Sequence, residues 1–351
     1  MPSHRFRSVL ISFGPIPSWS HPIPSHPIPS HPILVPSWFH PIPSHPIHPC
    51  IPSHQRAAAQ KAAAERAAAE ALVSTWDEQR PCFYFVHRDT ILSCQTTSLP
   101  CMQQLRDSDQ LVEERIDIES AFRGGGLIVK VLFVSHRWEA PGAPDGQGAQ
   151  LKEVQRHLEK NPGVELVWFD FWCMPQGERT IVEEKMFRLM LSAIADLYLT
   201  ARVLILLDNS YSSRFWTLFE AWSSMMTATA DGVRTAEPSE RRFTIRCIHN
   251  ANPKYAIPQL LDLLSSKTPQ EIHATLAKPD VVVTNARDKD AMLPVVHSTN
   301  ERVKTIFANM HQQSPELGCI ADSSLAALAA EALRIAVATP IDAVLDEEDD
   351  L

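Results

Sequence analysis

The residue best equipped for chemistry in this chain is Glu220, near the end of the stretch 203–222, VLILLDNSYSSRFWTLFEAW. Ser213 and Trp216 precede it at i, i+3 and i+7 spacing, which puts all three on one face of a helix. The apolar run 203–207 reads as a strand buried on both faces, and Asp208-Asn209-Ser210 as the turn that follows it. Ser212 or Ser213 is the expected N-cap of the helix behind. A carboxylate is thereby carried near the carboxyl end of a buried strand, where open α/β sheets bind their ligands. An ordinary solvated helix glutamate satisfies the same spacing.

Two further strand ends are polar. One leads into Ser135-His136-Arg137-Trp138-Glu139 and a loop with Pro141, Gly142, Pro144 and Gly146. The other runs through Trp168-Phe169-Asp170 into Phe171-Trp172-Cys173-Met174-Pro175-Gln176. In a doubly wound sheet these ends and Asp208 lie along one edge and converge on one crevice. Each residue also has a plainer reading. Trp168, Phe169 and Trp216 suit a core. Cys173 has no histidine at a readable spacing and reads as a small buried hydrophobe. His136 serves as a base or as a cap, and Asp170 and Glu139 shape their loops.

The elements that must position these residues follow an alternating pattern. Strands are expected at 127–134, 164–169, 203–207, 243–248 and 281–284, with helices at 149–160, 182–199, 214–226, 257–265, 270–277 and 298–310. Five apolar strands separated by helices imply an α/β fold with a doubly wound, five-stranded parallel sheet of flavodoxin-like type. Around this domain, 127–310, the chain divides further. Residues 1–54 carry an imperfect His-Pro-Ile-Pro-Ser repeat, whose prolines exclude helix and sheet and imply extended disorder. Residues 55–73 read as an alanine-rich spacer helix. Residues 74–126 read as a partly ordered lead-in that packs on the main domain and ends in a glycine hinge, 124–126. The glycines lack GxGxxG spacing and precede the strand, which argues against a dinucleotide fingerprint. Residues 311–351 read as a helical tail with an acidic end.

Composition excludes several classes. A net charge of -9 argues against a nucleic-acid binder. Seven cysteines without close pairs suggest a reduced compartment, and Cys82, Cys94 and Cys101 lack the CxxC spacing of a zinc site, so no metal is expected. No apolar run reaches the roughly 18 residues of a membrane span. The expectation is a cytoplasmic protein without a membrane segment.

With these residues in place, VLFVSHRWE and DNSYSSRFWTLFEAW resemble the first strand and the third-strand-to-helix region of Toll/interleukin receptor (TIR) domains. Trp216 and Glu220 keep that family's Trp-to-Glu interval, while Ser213 sits one residue farther from the tryptophan and Thr217 replaces a cysteine. The chain is also similar to the related fungal heterokaryon-incompatibility (HET) domain. Ser135 and Trp138 match its Ser-x-x-Trp motif, and Trp168, Asp170, Cys173 and Gln176 match its Trp-x-Asp-x-x-Cys-x-x-Gln motif. Departures are His136-Arg137 within the first motif, Glu139 after it, and Met174-Pro175 in the second.

The resemblance implies stress, defence or cell-death signalling, by one of two activities. The first is hydrolysis of NAD at the nicotinamide–ribose bond, with Glu220 as the catalytic match and NAD as substrate rather than cofactor. That bond breaks through an oxocarbenium-like state that a carboxylate stabilises. Arg137 is then a pyrophosphate or ribose contact and Trp172 a stacking surface for a nucleobase. Ser135, Trp138, Asp170, Asp208, Ser213 and Trp216 complete the expected nucleotide-binding set. The second activity is self-association, or association with other TIR/HET-like domains, through the loop 173–180. A nucleotide sensor that binds without cleaving would use the same pocket.

Overall fold

The structure is a computed structural model and describes residues 53–313. The expected repeat up to residue 52 and the expected tail helix and acidic end from residue 314 lie outside the described residues. Helix α1 (Ser53–Thr75) is followed by β1 (Cys82–His87), α2 (Arg88–Ser93), α3 (Met102–Asp107), β2 (Leu111–Arg115) and α4 (Ile118–Phe122). A 3-10 turn, Leu127–Lys130, leads into β3 (Val131–Ser135), α5 (Ala149–Lys160), β4 (Leu166–Trp168), α6 (Asp170–Cys173) and α7 (Ile181–Thr200). Strand β5 (Arg202–Leu207), a 3-10 turn at Tyr211–Ser213 and α8 (Phe215–Met225) come next. The hairpin β6 (Met226–Thr229) and β7 (Gly232–Thr235) precedes β8 (Phe243–Cys247), α9 (Pro253–Leu264), α10 (Pro269–Leu276) and α11 (Ala286–Gln313).

The central sheet has six strands in the order β2-β1-β4-β3-β5-β8. Strands β4, β3, β5 and β8 are parallel, whereas β1 runs antiparallel to both β4 and β2. All five residues of β3 are buried, and no charge interrupts them, as a strand covered on both faces requires. Phe133 sits at its centre, stacked on Trp168 with centroids 5.0 Å apart and edge-on to Tyr198 at 5.3 Å. With right-handed crossovers, α5 covers one face, and α7 and α8, which touch each other, cover the other.

Three expectations are corrected. The sheet is six-stranded and mixed, because the segment 74–126 does more than pack on the main domain and supplies two strands to the sheet. Its aromatic patch is β1, and Phe83, Phe85 and Val86 are wholly buried in the common core. The glycines 124–126 form no hinge. Gly124 and Gly125 donate backbone bonds of 3.0 Å and 2.8 Å to Ala121 and Ser120, and Gly124 takes the positive φ of a helix C-terminus. Finally, 281–284 is not a strand. Val282 exchanges two 2.9 Å backbone bonds with Ser213 and Phe215, which strap the segment to the start of α8 instead of adding it to the sheet.

The helices between 149 and 277 match the apolar periodicity closely. In α5, Leu151, Val154 and Leu158 are buried at i, i+3 and i+7. Helix α7 opens with a capping box in which Thr180 and Glu183 satisfy each other's backbone groups. Helix α11 is longer than the expected 298–310, reaching back to Ala286. The alanine-rich α1 rests on α7 with Ala69 buried.

Candidate functional site

The site is built where β3, β4 and β5 end. Ser135, the last residue of β3, is wholly buried, and its hydroxyl donates to Glu220 Oε2 at 2.6 Å. Its oxygen also lies 2.5 Å from the Tyr211 hydroxyl, so a carboxyl and two hydroxyls form one chain across three elements. Among the described residues no cation pairs with the carboxyl. Burial pushes the Glu220 pKa up to about 8; the nearby Asp170 charge adds to the rise and the Ser135 bond opposes it. The phenols of Tyr198 and Tyr211 are held far above their ordinary range, chiefly by burial and then by the Glu220 charge. Tyr198 Oη lies buried beside Glu220 without a hydrogen bond of normal geometry among the described residues.

In front of Glu220 opens a cavity of about 290 Å³, close to the lower end of small-molecule sites. Trp138, Trp168, Phe187, Leu191, Ile194 and Trp216 supply its apolar surface. Its polar lining includes Arg137, Asp170, Gln176, Arg179, Arg214 and Asp288, besides Glu220.

Asp170 is held as a hub. It receives bonds from Trp138 Nε1 at 2.8 Å and from the Phe171 amide at 2.6 Å, with His136 Nε2 at 2.9 Å. His136 is stacked on Phe169 with centroids 3.8 Å apart, and its Nδ1 is buried without a partner among the described residues. Gln176 Nε2 closes the loop by donating to the carbonyls of Asp170 and Met174, both at 2.9 Å. Arg137 is engaged by Asp208, whose Oδ2 lies 2.6 Å from both Nε and Nη2. Gln150 of α5 donates to the Arg137 carbonyl at 3.0 Å and fixes the β3 loop from below.

Of the expected site residues, Glu220, Arg137, Trp138, Asp170 and Trp216 line the cavity. Asp208 stands behind Arg137, and Ser135 stands behind Glu220, so both position a lining residue. Trp172 is corrected as a stacking surface: it is buried beneath Phe169, centroids 4.1 Å apart, and lies outside the cavity lining. Ser213 is corrected too. It precedes α8 in the 3-10 turn, its hydroxyl donates to the Ser210 carbonyl at 2.7 Å, and it is exposed. The N-cap position belongs to Arg214 instead. Cys173 is a buried hydrophobe whose thiol burial pushes far up, so it carries no thiolate. Glu139 shapes its loop by accepting from the Gly146 amide at 2.9 Å.

Sequence reasoning missed Tyr211, Tyr198, Arg179, Arg214 and the wall formed by Val282–Asn285 with Asp288. The serines flanking Tyr211 in the turn drew attention to themselves, and nothing local marks a tyrosine as buried. Among the described residues, no group of three or more His, Cys, Asp and Glu is placed to hold a metal, and no helix is long and apolar enough to cross a membrane. No protein-family model, curated protein or solved structure matches the chain. Fold and site therefore define a class only: a mixed α/β protein with a small-molecule-sized cavity at the carboxyl ends of its parallel strands.

Proposed function

We propose that the chain is a TIR/HET-like domain of flavodoxin-like type that hydrolyses NAD in intracellular stress, defence or cell-death signalling. One observation supports this most. The residues that carry the resemblances form two hydrogen-bonded pairs at one cavity: Trp138 with Asp170 at 2.8 Å, and Ser135 with Glu220 at 2.6 Å. The parallel strand order β4-β3-β5-β8 agrees with the flavodoxin-like assignment, since it reverses next to β3, where such sheets bind ligands.

In this reading the nicotinamide ribose lies over Glu220 against Trp216. The C1′–N bond breaks, and nicotinamide leaves as a neutral base with the bonding electron pair. Water adds to C1′ and loses its proton to solvent, giving ADP-ribose. The Glu220 carboxylate stabilises the positive charge that develops on the sugar. Because its pKa is near 8, the active carboxylate is a minority at neutral pH, and nicotinamide release rises with pH through about 8. The neutral carboxyl itself favours a second reading, a nucleotide sensor that binds the same ligand by a donated hydrogen bond.

The test is nicotinamide release by the full chain beside Glu220→Gln. The full chain is needed because β1 and β2 belong to the sheet. Release by the parent and none by a folded variant supports hydrolysis. Nucleotide binding without release by either favours the sensor, and equal release by both removes Glu220 from the mechanism.

A further inference from the structure

Three arginines line the cavity, and two are already engaged by the protein. Arg137 is neutralised by Asp208. Arg179 donates to the Pro175 carbonyl at 2.8 Å and to Glu184 at 3.1 Å, and lies 3.6 Å above the centre of the Phe187 ring. The guanidinium of Arg214 has neither an ion pair nor a hydrogen bond among the described residues. Its main chain, by contrast, is fixed. Ser213 and Phe215 on either side are clamped to Val282, and the Arg214 carbonyl receives the Leu218 amide at 3.2 Å. A half-buried cation is thus held in the lining of a cavity beside Phe215, Trp216 and Val283, with no anion paired to it among the described residues. Removing a charge from water without a partner is costly, and a ligand anion is the group that offsets it.

We infer that Arg214 anchors a phosphate group of the ligand and makes the pocket selective for 5′-phosphorylated nucleosides over nucleosides. The inference rests on the reading that this pocket takes an NAD-like nucleotide. It also moves the phosphate contact from Arg137, whose charge Asp208 satisfies, to a residue that spacing did not single out. Arg214 precedes Glu220 by six residues along α8, about 9 Å of helix axis. A ribose 5′-phosphate and a guanidinium side chain together span that separation when C1′ lies over the glutamate. The positive end of the α8 dipole adds to the attraction, though the guanidinium supplies the charge.

Nicotinamide mononucleotide and nicotinamide riboside differ only in the 5′-phosphate, so calorimetric titration of the full chain with each isolates the contact. The parent is expected to bind the mononucleotide at least tenfold more tightly than the riboside, a preference that salt weakens. Arg214→Gln should abolish that preference while leaving riboside affinity unchanged, and Arg214→Lys should retain part of it. An unchanged preference in Arg214→Gln overturns the inference, as does an equal loss of both ligands. Nicotinamide release from NAD without any phosphate preference would leave hydrolysis standing and remove Arg214. An Arg214-dependent preference without release would keep the anchor and remove hydrolysis. If the parent binds neither ligand and releases no nicotinamide, both fall.

Discussion

Two desolvated acids on neighbouring helices differ in what answers their charge. Asp196 of α7 is paired with Arg302 of α11 at the interface between those helices. Burial pushes its pKa up, and the Arg302 charge and hydrogen bond offset only part of that rise. Glu220 of α8 is bonded by the Ser135 hydroxyl, has no cation paired to it among the described residues and faces a cavity, and its pKa is pushed up to about 8. An acid answered by a cation ties two helices together. One answered by hydroxyls keeps its proton near neutrality and stays available to a ligand. The contrast separates a structural carboxylate from a functional one by its partners rather than by its depth.

The largest expected effect falls on the structural acid. Arg302→Ala leaves Asp196 buried without its cation and should lower unfolding stability by about 3–5 kcal/mol, measured in urea. Replacing both partners by leucine should recover most of the loss. Next, Glu220→Gln should reduce nicotinamide release roughly 10²–10³-fold while the fold persists by circular dichroism. A comparable activity loss in a folded Asp196→Asn would erase the distinction between the two acids.

The same Glu220→Gln variant sharpens the comparison in stability. A carboxyl whose folded pKa exceeds its unfolded value of 4.5 contributes stability fully present below 4.5, which is lost as pH rises through about 8. The parent should therefore weaken over that window, whereas the glutamine variant should lack this component. At pH 9 the variant should be the more stable by on the order of 1–3 kcal/mol. Smaller still is the contribution of the hydroxyl chain. Ser135→Ala removes the bond that favours the carboxylate, so the midpoint of the pH–activity curve should move alkaline by roughly one pH unit, about 1.4 kcal/mol. Tyr211→Phe should move it in the same direction and by less; a fall in rate at an unchanged midpoint would mean a packing role only. Ser213→Ala, outside the cavity, should change activity and stability by less than about 0.5 kcal/mol.

Much of the fold was legible because it is written in local periodicity. The apolar runs of β3 and β5, the i, i+3, i+7 pattern of α5 and the capping box of α7 each depend on residues within a few positions. The same locality explains the errors. A six-residue aromatic patch, β1, lacks the length to announce which sheet it joins, and the valines at 281–283 look like a strand until α8 claims their backbone. In the site, Trp216 and Glu220 share a face because helical spacing requires it. Ser213 failed because the turn before α8 is a 3-10 helix with Arg214 as the cap.

By itself, the sequence determined the succession of the parallel strands β3, β4, β5 and β8 with the main helices between them, the acidic balance and the presence of a carboxylate behind the β5 strand, since periodicity and composition act over short range. Only the tertiary structure decided what that carboxylate is. Ser135 lies 85 residues from Glu220 and 76 from Tyr211, and their hydrogen bonds exist because β3, the turn after β5 and α8 pack at one edge. It likewise decided that Asp208 occupies Arg137 while Arg214 faces the cavity unpaired among the described residues. Proton affinity and charge pairing depend on the surroundings that packing brings together, and those are not local to any stretch of chain.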